Sequence, residues 1–262
     1  MASETRREFI QQAGLAAGVL LGASSASAAA PSAPATKPTI DTAAGITGIQ
    51  QLLNSKDPLI WVFTGDSITH GALHTLSSRS YPEHFAERVR WEMRRVRDVV
   101  INTGISGDRV DGVLADLDWR VLQFRPNVVS LMFGMNDCGS GEANRANFRT
   151  KYTEIVKRIQ DAGAIPILNT PNTVIVANSS GREDLPAYAQ IVREVAADRK
   201  AVLVDHWKHW ETAKPRQEDL VAWIEDKSIH PGVYGHREFA KLIFQELGIS
   251  DAGSPTSNLA VP

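Results

Sequence analysis

Apolar residues along this chain keep two rhythms. Five short runs, at residues 59–64, 98–102, 128–133, 165–168 and 201–205, are nearly continuous in apolar character and rich in Val, Ile and aromatic residues. Such runs are the pattern of strands buried on both faces. Pro166 in the fourth run lacks a backbone N–H, which places it at the start of its strand or near an edge of the sheet.

Between the runs, apolar positions return every three or four residues, the period of a helix with one buried face. Ile46, Ile49, Leu52 and Leu53 predict a short helix before the first strand. Ser80-Tyr81-Pro82-Glu83 has the form of a capping box with proline in the first turn. It opens a helix with Phe85, Val89, Met93 and Val96 on one face. Residues 110–124 read as helix, with Val113, Leu114, Leu117, Val121 and Leu122 apolar. Phe148, Tyr152, Ile155, Val156 and Ile159 mark another helix, stopped at Gly163. Residues 186–199, parts of 207–226 and residues 233–247 complete the helical set, and the tail after Gly248 has little to bury. Strands alternating with helices imply a parallel sheet covered on both faces, and right-handed crossovers make that a three-layer α/β/α sandwich. One domain is expected over residues 41–250, followed by a tail at 251–262; no internal repeat appears.

Composition fits a single soluble domain: 262 residues, 43% hydrophobic and 22% charged. The net charge of −2 offers no basic surface for nucleic acid and no strong field for membrane lipid. The one cysteine, Cys138, allows neither an intramolecular disulfide nor a cysteine-based metal site, and reads as a small buried residue. The N-terminus is a separate matter. Thr5-Arg6-Arg7-Glu8-Phe9-Ile10 is a twin-arginine pattern, followed by an apolar stretch from Ala13 to Gly22 and small residues at Ala26-Ser27-Ala28 and Ala28-Ala29-Ala30. The apolar stretch is about half the roughly 20 residues that span a bilayer. Residues 1–30 are therefore expected to be a cleaved twin-arginine (Tat) signal peptide and 31–40 a linker, with no stable membrane anchor. The expected partners are the Tat export machinery and signal peptidase, and the mature protein is expected in the periplasm or medium.

The candidate chemistry lies where strands end. Gly65-Asp66-Ser67 follows the first strand, and Thr103-Gly104-Ile105-Ser106-Gly107-Asp108 the second. Gly134-Met135-Asn136-Asp137 follows the third, and Asp226-Lys227-Ser228-Ile229-His230-Pro231-Gly232 precedes the last helix. In an open parallel sheet, the loops at the C-terminal ends of strands share one edge, where ligands bind. A serine, a glycine N–H, a side-chain amide and a histidine on that edge meet the requirements of acyl transfer: nucleophile, oxyanion donors and base. Each block alone has a plain alternative. Gly-Asp-Ser and Gly107 suit ordinary turns, Asn136 suits a helix cap, and His230 before proline suits a surface turn.

In this order and spacing, the four blocks resemble the SGNH or GDSL hydrolases over residues 59–246. The resemblance implies a flavodoxin-like fold and serine esterase or lipase chemistry without metal or cofactor. It implies Ser67 as nucleophile, His230 as general base, and the Ser67 and Gly107 N–H groups with the Asn136 amide as oxyanion hole. One departure stands out. The family's acid usually lies three residues before the histidine, where this chain has Lys227. Asp226, four residues before, is the expected acid; Glu225, Asp205 or a Ser-His dyad are the alternatives.

His70 and His74, and His206 and His209, lie four apart without an acidic or cysteine partner, so structural or site-lining roles are expected rather than metal binding. Asp66 and Asp137 are expected to brace their loops. Trp207 and Trp210 suit core packing or a sugar-stacking surface. The expected activity is hydrolysis of carboxylic esters, of short acyl groups such as acetyl, on a small molecule or glycan. The alternatives are a lysophospholipase or thioesterase, an O-acyltransferase, and a non-catalytic binding protein.

Overall fold

The computed structural model describes residues 41–261; the expected signal peptide and linker lie outside the described residues. The five apolar runs form β1 (Ile60–Gly65), β2 (Val99–Asn102), β3 (Val128–Met132), β4 (Ile165–Asn169) and β5 (Val202–Val204). They make one sheet in the order β2-β1-β3-β4-β5 with every pair parallel, the flavodoxin-like order. β3 and β4 are buried along their whole length, as continuous apolar runs require. Pro166 is tolerated because β5 pairs only with Ile167 to Asn169 and leaves Pro166 beyond its reach.

Helices cover both faces. On one, α4 (Val110–Ala115), α6 (Arg145–Asp161) and α7 (Leu185–Asp198) pack in a row. On the other, α3 (Tyr81–Ala86) packs on α9 (Val233–Glu246), which also meets α8 (His206–Ala213). The first helix, Gly45–Asn54 (α1), packs on β4. The result is the expected three-layer sandwich. Chain order turns back between β1 and β3, since β2 lies outside β1 while β3 to β5 extend the other way. That reversal opens a crevice at the C-terminal ends of β1 and β3, the place where ligands bind in such sheets.

Three expectations need correction. The capping box forms, with the Glu83 carboxylate accepting from the Ser80 N–H at 2.7 Å. The helix it opens then widens into a π-helical turn over Glu87–Glu92 and stops by Arg94, whose φ is 58°. Val96 lies beyond that stop, in the turn before β2, so it is 60% exposed instead of completing the apolar stripe. Residues 110–124 are not one helix but α4, α5 (Leu117–Arg120) and a 3₁₀ turn at Leu122–Phe124. The break accompanies a fully buried Arg120, whose guanidinium bonds the Thr103 carbonyl at 2.9 Å. The tail is docked. Ile249, Ser254 and Thr256 are buried, Arg88 donates to the Ile249 carbonyl, and Glu92 accepts from the Thr256 N–H at 2.9 Å and its hydroxyl at 2.8 Å. Ile249 and Val261 pack on the core, but most of what holds the tail is hydrogen bonding, which is why a hydropathy pattern misses it.

Candidate active site

β1 delivers Ser67 to the sheet edge. Gly65 ends the strand, and a Cβ there would come within 2.6 Å of the Met132 carbonyl oxygen, so only glycine lets the next turn sit this close. Asp66 caps the four-residue helix α2 (Ser67–His70), accepting from the Ile68 N–H at 2.9 Å. Its other oxygen is buried without a partner. Burial pushes the Asp66 carboxyl up to about 7 against the pull of the Ile68 N–H, and the neighbouring charges of Asp137 and Asp108 add to the rise. Asp137 braces the loop after β3, accepting from the Val110 N–H at 2.9 Å and the Gly134 N–H at 3.0 Å. Both acids brace loops as expected. Cys138 is buried, and burial raises its thiol to about 12, an inert position.

His230 arrives on a closed loop. Ile224 and Pro231 form an antiparallel bridge, and the Glu225 N–H donates to the His230 carbonyl at 2.9 Å. Within the loop, Oδ1 of Asp226 accepts from the N–H groups of Ser228, Ile229 and His230 at 2.9, 2.9 and 3.0 Å. Lys227 takes a left-handed φ of 54°, which folds the turn back so that residue i reaches residue i+4. Oδ2 of Asp226 then lies 2.6 Å from Nδ1 of His230, and Nε2 of His230 lies 2.9 Å from Oγ of Ser67. Burial works against the Asp226 charge, but the His230 ring and the backbone N–H groups outweigh it and hold the carboxyl below its usual range. The spacing departure at Lys227 is thus absorbed by one left-handed residue. Neither alternative acid faces the ring. Asp205 caps α8 and pairs with Arg193, and the Glu225 side chain lies against Gly232.

The donor loops are tied to one another. Nδ1 of His70 lies 3.0 Å from the Ser106 hydroxyl, linking α2 to the loop after β2. The Asn136 amide donates one N–H to the Asp108 carbonyl at 3.0 Å, linking that loop to the one after β3 and leaving its second N–H for a ligand. Gly107 adopts a φ of +81° with open space where a Cβ would point. The backbone N–H groups of Ser67 and Gly107 have no partner among the described residues. Beneath these loops, Arg120 pairs with Asp108 and bonds the Thr103 carbonyl, so one buried cation anchors the Gly104–Asp108 segment.

His74 is placed more tellingly than its spacing from His70 implies. Its ring stacks on His230 at 3.9 Å between centroids and 5° between planes. It is carried by a segment in which Leu73, Leu76 and Ser77 all have positive φ, strain of the kind held at functional sites. Burial and the neighbouring His230 both depress its protonation. Ligand atoms of His74, Asp226 and His230 lie within 4.8 Å of one another. Parallel rings direct their lone pairs alongside each other rather than to one point, and the carboxylate is already engaged with a ring nitrogen, so the trio fits a ring stacked on a hydrogen-bonded Asp-His pair better than a cation site. Elsewhere, His206 is buried against Asn169, His209 pairs with Glu238, and Trp210 is core.

The comparisons with known proteins agree with this fold. The GDSL-like lipase/acylhydrolase family model matches residues 63–238, which hold every candidate residue. The chain belongs to this family. It is a carboxylic ester hydrolase of the serine type. An acetylxylan esterase of Geobacillus stearothermophilus is 27% identical over 168 residues, covering 57% of this chain and 72% of that protein. An uncharacterized lipoprotein of Bacillus subtilis, YqeF, is 25% identical over 214 residues, covering 71% of this chain and 86% of that one. Among solved structures, the acetylxylan esterase Axe2 of G. stearothermophilus shares the fold with a TM-score of 0.60 at 21% identity, over 77% of this chain and 97% of that chain. LAE5, an α/β hydrolase from the Lake Arreo metagenome, does so with a TM-score of 0.63 at 20% identity, over 75% and 99%.

Sequence reasoning missed two contributors. Arg120 sits on the apolar face of its helical segment, and a lone cation at a core position is the signal that marks it. His74 carries no comparable signal, since its stack on His230 is made across the fold.

Proposed function

We propose that the protein is an exported esterase that removes short acyl groups, acetyl foremost, from carbohydrate through an acyl-enzyme at Ser67. The observation that carries the chemistry is the unbroken chain from Ser67 Oγ to His230 Nε2 at 2.9 Å and from His230 Nδ1 to Asp226 Oδ2 at 2.6 Å. In the first half-reaction, His230 Nε2 takes the Ser67 proton as Oγ bonds to the ester carbonyl carbon. The ionised Asp226 holds Nδ1 protonated and steadies the imidazolium. The Ser67 and Gly107 N–H groups and the free Asn136 N–H receive the oxyanion. Collapse breaks the ester C–O bond, and the alcohol leaves with the His230 proton. Water, deprotonated by His230, then releases the acid and restores Ser67.

The acetyl-carbohydrate reading is supported by the relatives named acetylxylan esterases. Export by the Tat route, with cleavage by signal peptidase and a periplasmic or secreted product, rests on Arg6-Arg7 and the small residues up to Ala30. Hydrolysis of p-nitrophenyl esters from acetate to palmitate, beside acetylated xylan, tests the substrate class. Activity confined to short chains with acetate released from the glycan is expected; preference for palmitate would move the substrate to lipid. Asn136→Ala should lower kcat about 10²–10³-fold with little change in KM, because its amide meets charge only in the transition state. Unchanged turnover would remove Asn136 from the oxyanion hole.

A further inference from the structure

On the same edge of the sheet, a cavity of about 500 Å³ opens between the segment after β4 and α8 with its following turn. That lies within the range of sites for drug-sized ligands, roughly 300–1,000 Å³. Thr173 and Val174 form one wall, Trp207 and Gln217 the other, and Arg182 and Glu183 one end.

The segment that forms one of its walls also backs on the candidate active site. The segment from Asn172 to Asn178 backs directly on the His230 loop: the Asn172 amide donates to the Ile229 carbonyl at 3.1 Å, the Ile175 N–H to the Ser228 carbonyl at 2.9 Å, and the Asn178 amide to the Lys227 carbonyl at 2.7 Å. At the other end, Nη1 of Arg182 lies 3.3 Å from where a Cβ on Gly139 would stand, against the loop that carries Asn136. The wall of the cavity thus touches the base loop, and Arg182 at its end reaches an oxyanion-donor loop.

The lining selects by chemistry. Arg182 and Lys214 are offset by Glu183 and Glu211, so the cavity presents no net field to an anion or a cation. It combines an indole with planar hydrogen-bonding groups, the Arg182 guanidinium and the Gln217 amide. Gln217 spends its oxygen on the Val176 N–H at 2.8 Å, leaving its NH₂ group to donate. An acyl chain would desolvate these groups without repaying them with hydrogen bonds. Two polar groups are already without partners: the hydroxyl of Thr173, a residue only 6% exposed, and Nε of Arg182. Buried polar atoms are seldom left unsatisfied unless a ligand or water completes them. A ring with an apolar C–H face and a rim of hydroxyls matches the indole, the guanidinium and the Gln217 amide.

We infer that this cavity is a subsite for a neutral oligosaccharide, holding roughly one or two sugar units of the alcohol portion while the acyl group meets Ser67. The inference rests on the esterase reading above and adds where the sugar lies. Its test separates the two. Ser67→Ala protein is titrated calorimetrically with xylotetraose and cellotetraose, which carry no ester, alone and combined with Thr173→Val or Arg182→Ala. Saturable binding of at least one sugar is expected, weakened about fivefold by Thr173→Val and tenfold or more by Arg182→Ala. Thr173→Val should leave the melting temperature unchanged or raised, because the lost hydroxyl has no protein partner. With Ser67 intact, both variants should hydrolyse p-nitrophenyl acetate as the wild type does, while KM for acetylated xylo-oligosaccharide rises about tenfold. No binding of either sugar, or binding that ignores both substitutions, overturns the subsite. Loss of long-chain ester hydrolysis in the variants also overturns it, by assigning the cavity to an acyl chain. Sugar binding of the expected pattern by a wild type that cleaves no ester keeps the subsite and removes the esterase reading.

Discussion

Ser67→Ala should fold as the wild type does and lose about 10⁶ in kcat on p-nitrophenyl acetate. The hydroxyl makes one described side-chain contact, to His230 at 2.9 Å, and no part of the turn depends on it. Asp66 supplies the cap and Gly65 the close approach to β3, so the turn survives the substitution. What disappears is the atom that bonds the acyl carbon. The oxyanion donors remain, and a residual rate above that in water is expected from them. Initial rates and a melting curve on the same preparation check both halves. A rate within tenfold of wild type would mean that another group attacks the ester.

Asp226→Asn is expected to lower kcat about 10⁴-fold while leaving the loop in place. The reason lies in how the carboxylate is divided. Oδ1 accepts three backbone N–H groups, and only oxygen can do so. An amide at this position must therefore keep its oxygen there and turn its NH₂ towards Nδ1 of His230. A donor facing Nδ1 forces the ring proton onto Nε2, where it points at Ser67 and can no longer accept the hydroxyl proton. Adding Lys227→Asp should not restore activity. That position is turned away by its left-handed backbone, and its carbonyl is held by Asn178. Stability carries a second signature. Because the Asp226 carboxyl is held below its usual range, its contribution to folding is complete above the unfolded value near 4 and fades as pH falls through the folded value. The deficit of the variant relative to wild type should thus be seen at neutral pH and close below about pH 4. Denaturant midpoints across that range, with kcat at neutral pH, are the measurements; full activity would return the acid's role to another residue.

Much of this was legible in the chain. The strands could be read because β3 and β4 are buried on both faces and must be continuously apolar. Ser67, Gly107 and Asn136 could be read because strand-end loops of a parallel sheet share an edge, and His230 only through the order of the four blocks that resembles the family. The acid was legible only as a choice among Asp226, Glu225, Asp205 and none. What brings Asp226 to the ring is the φ of Lys227 and the contact from Asn178, and loop backbone angles set by distant contacts leave no periodic trace. The early end of the helix that Ser80 opens escaped for a similar reason, since the left-handed Arg94 that stops it leaves the apolar spacing through Val96 unchanged. The docked tail and Arg120 escaped because both are held by polar groups at positions where hydropathy reads exposure.

The central claim is that His230 activates Ser67 as the attacking group. Labelling the folded protein with a fluorophosphonate and mapping the adduct by peptide mass spectrometry tests it directly, because such reagents capture activated serines. The expected result is a single adduct on the peptide containing Ser67, abolished in His230→Ala. A folded wild type that takes no label, or takes it on another residue, would contradict the account.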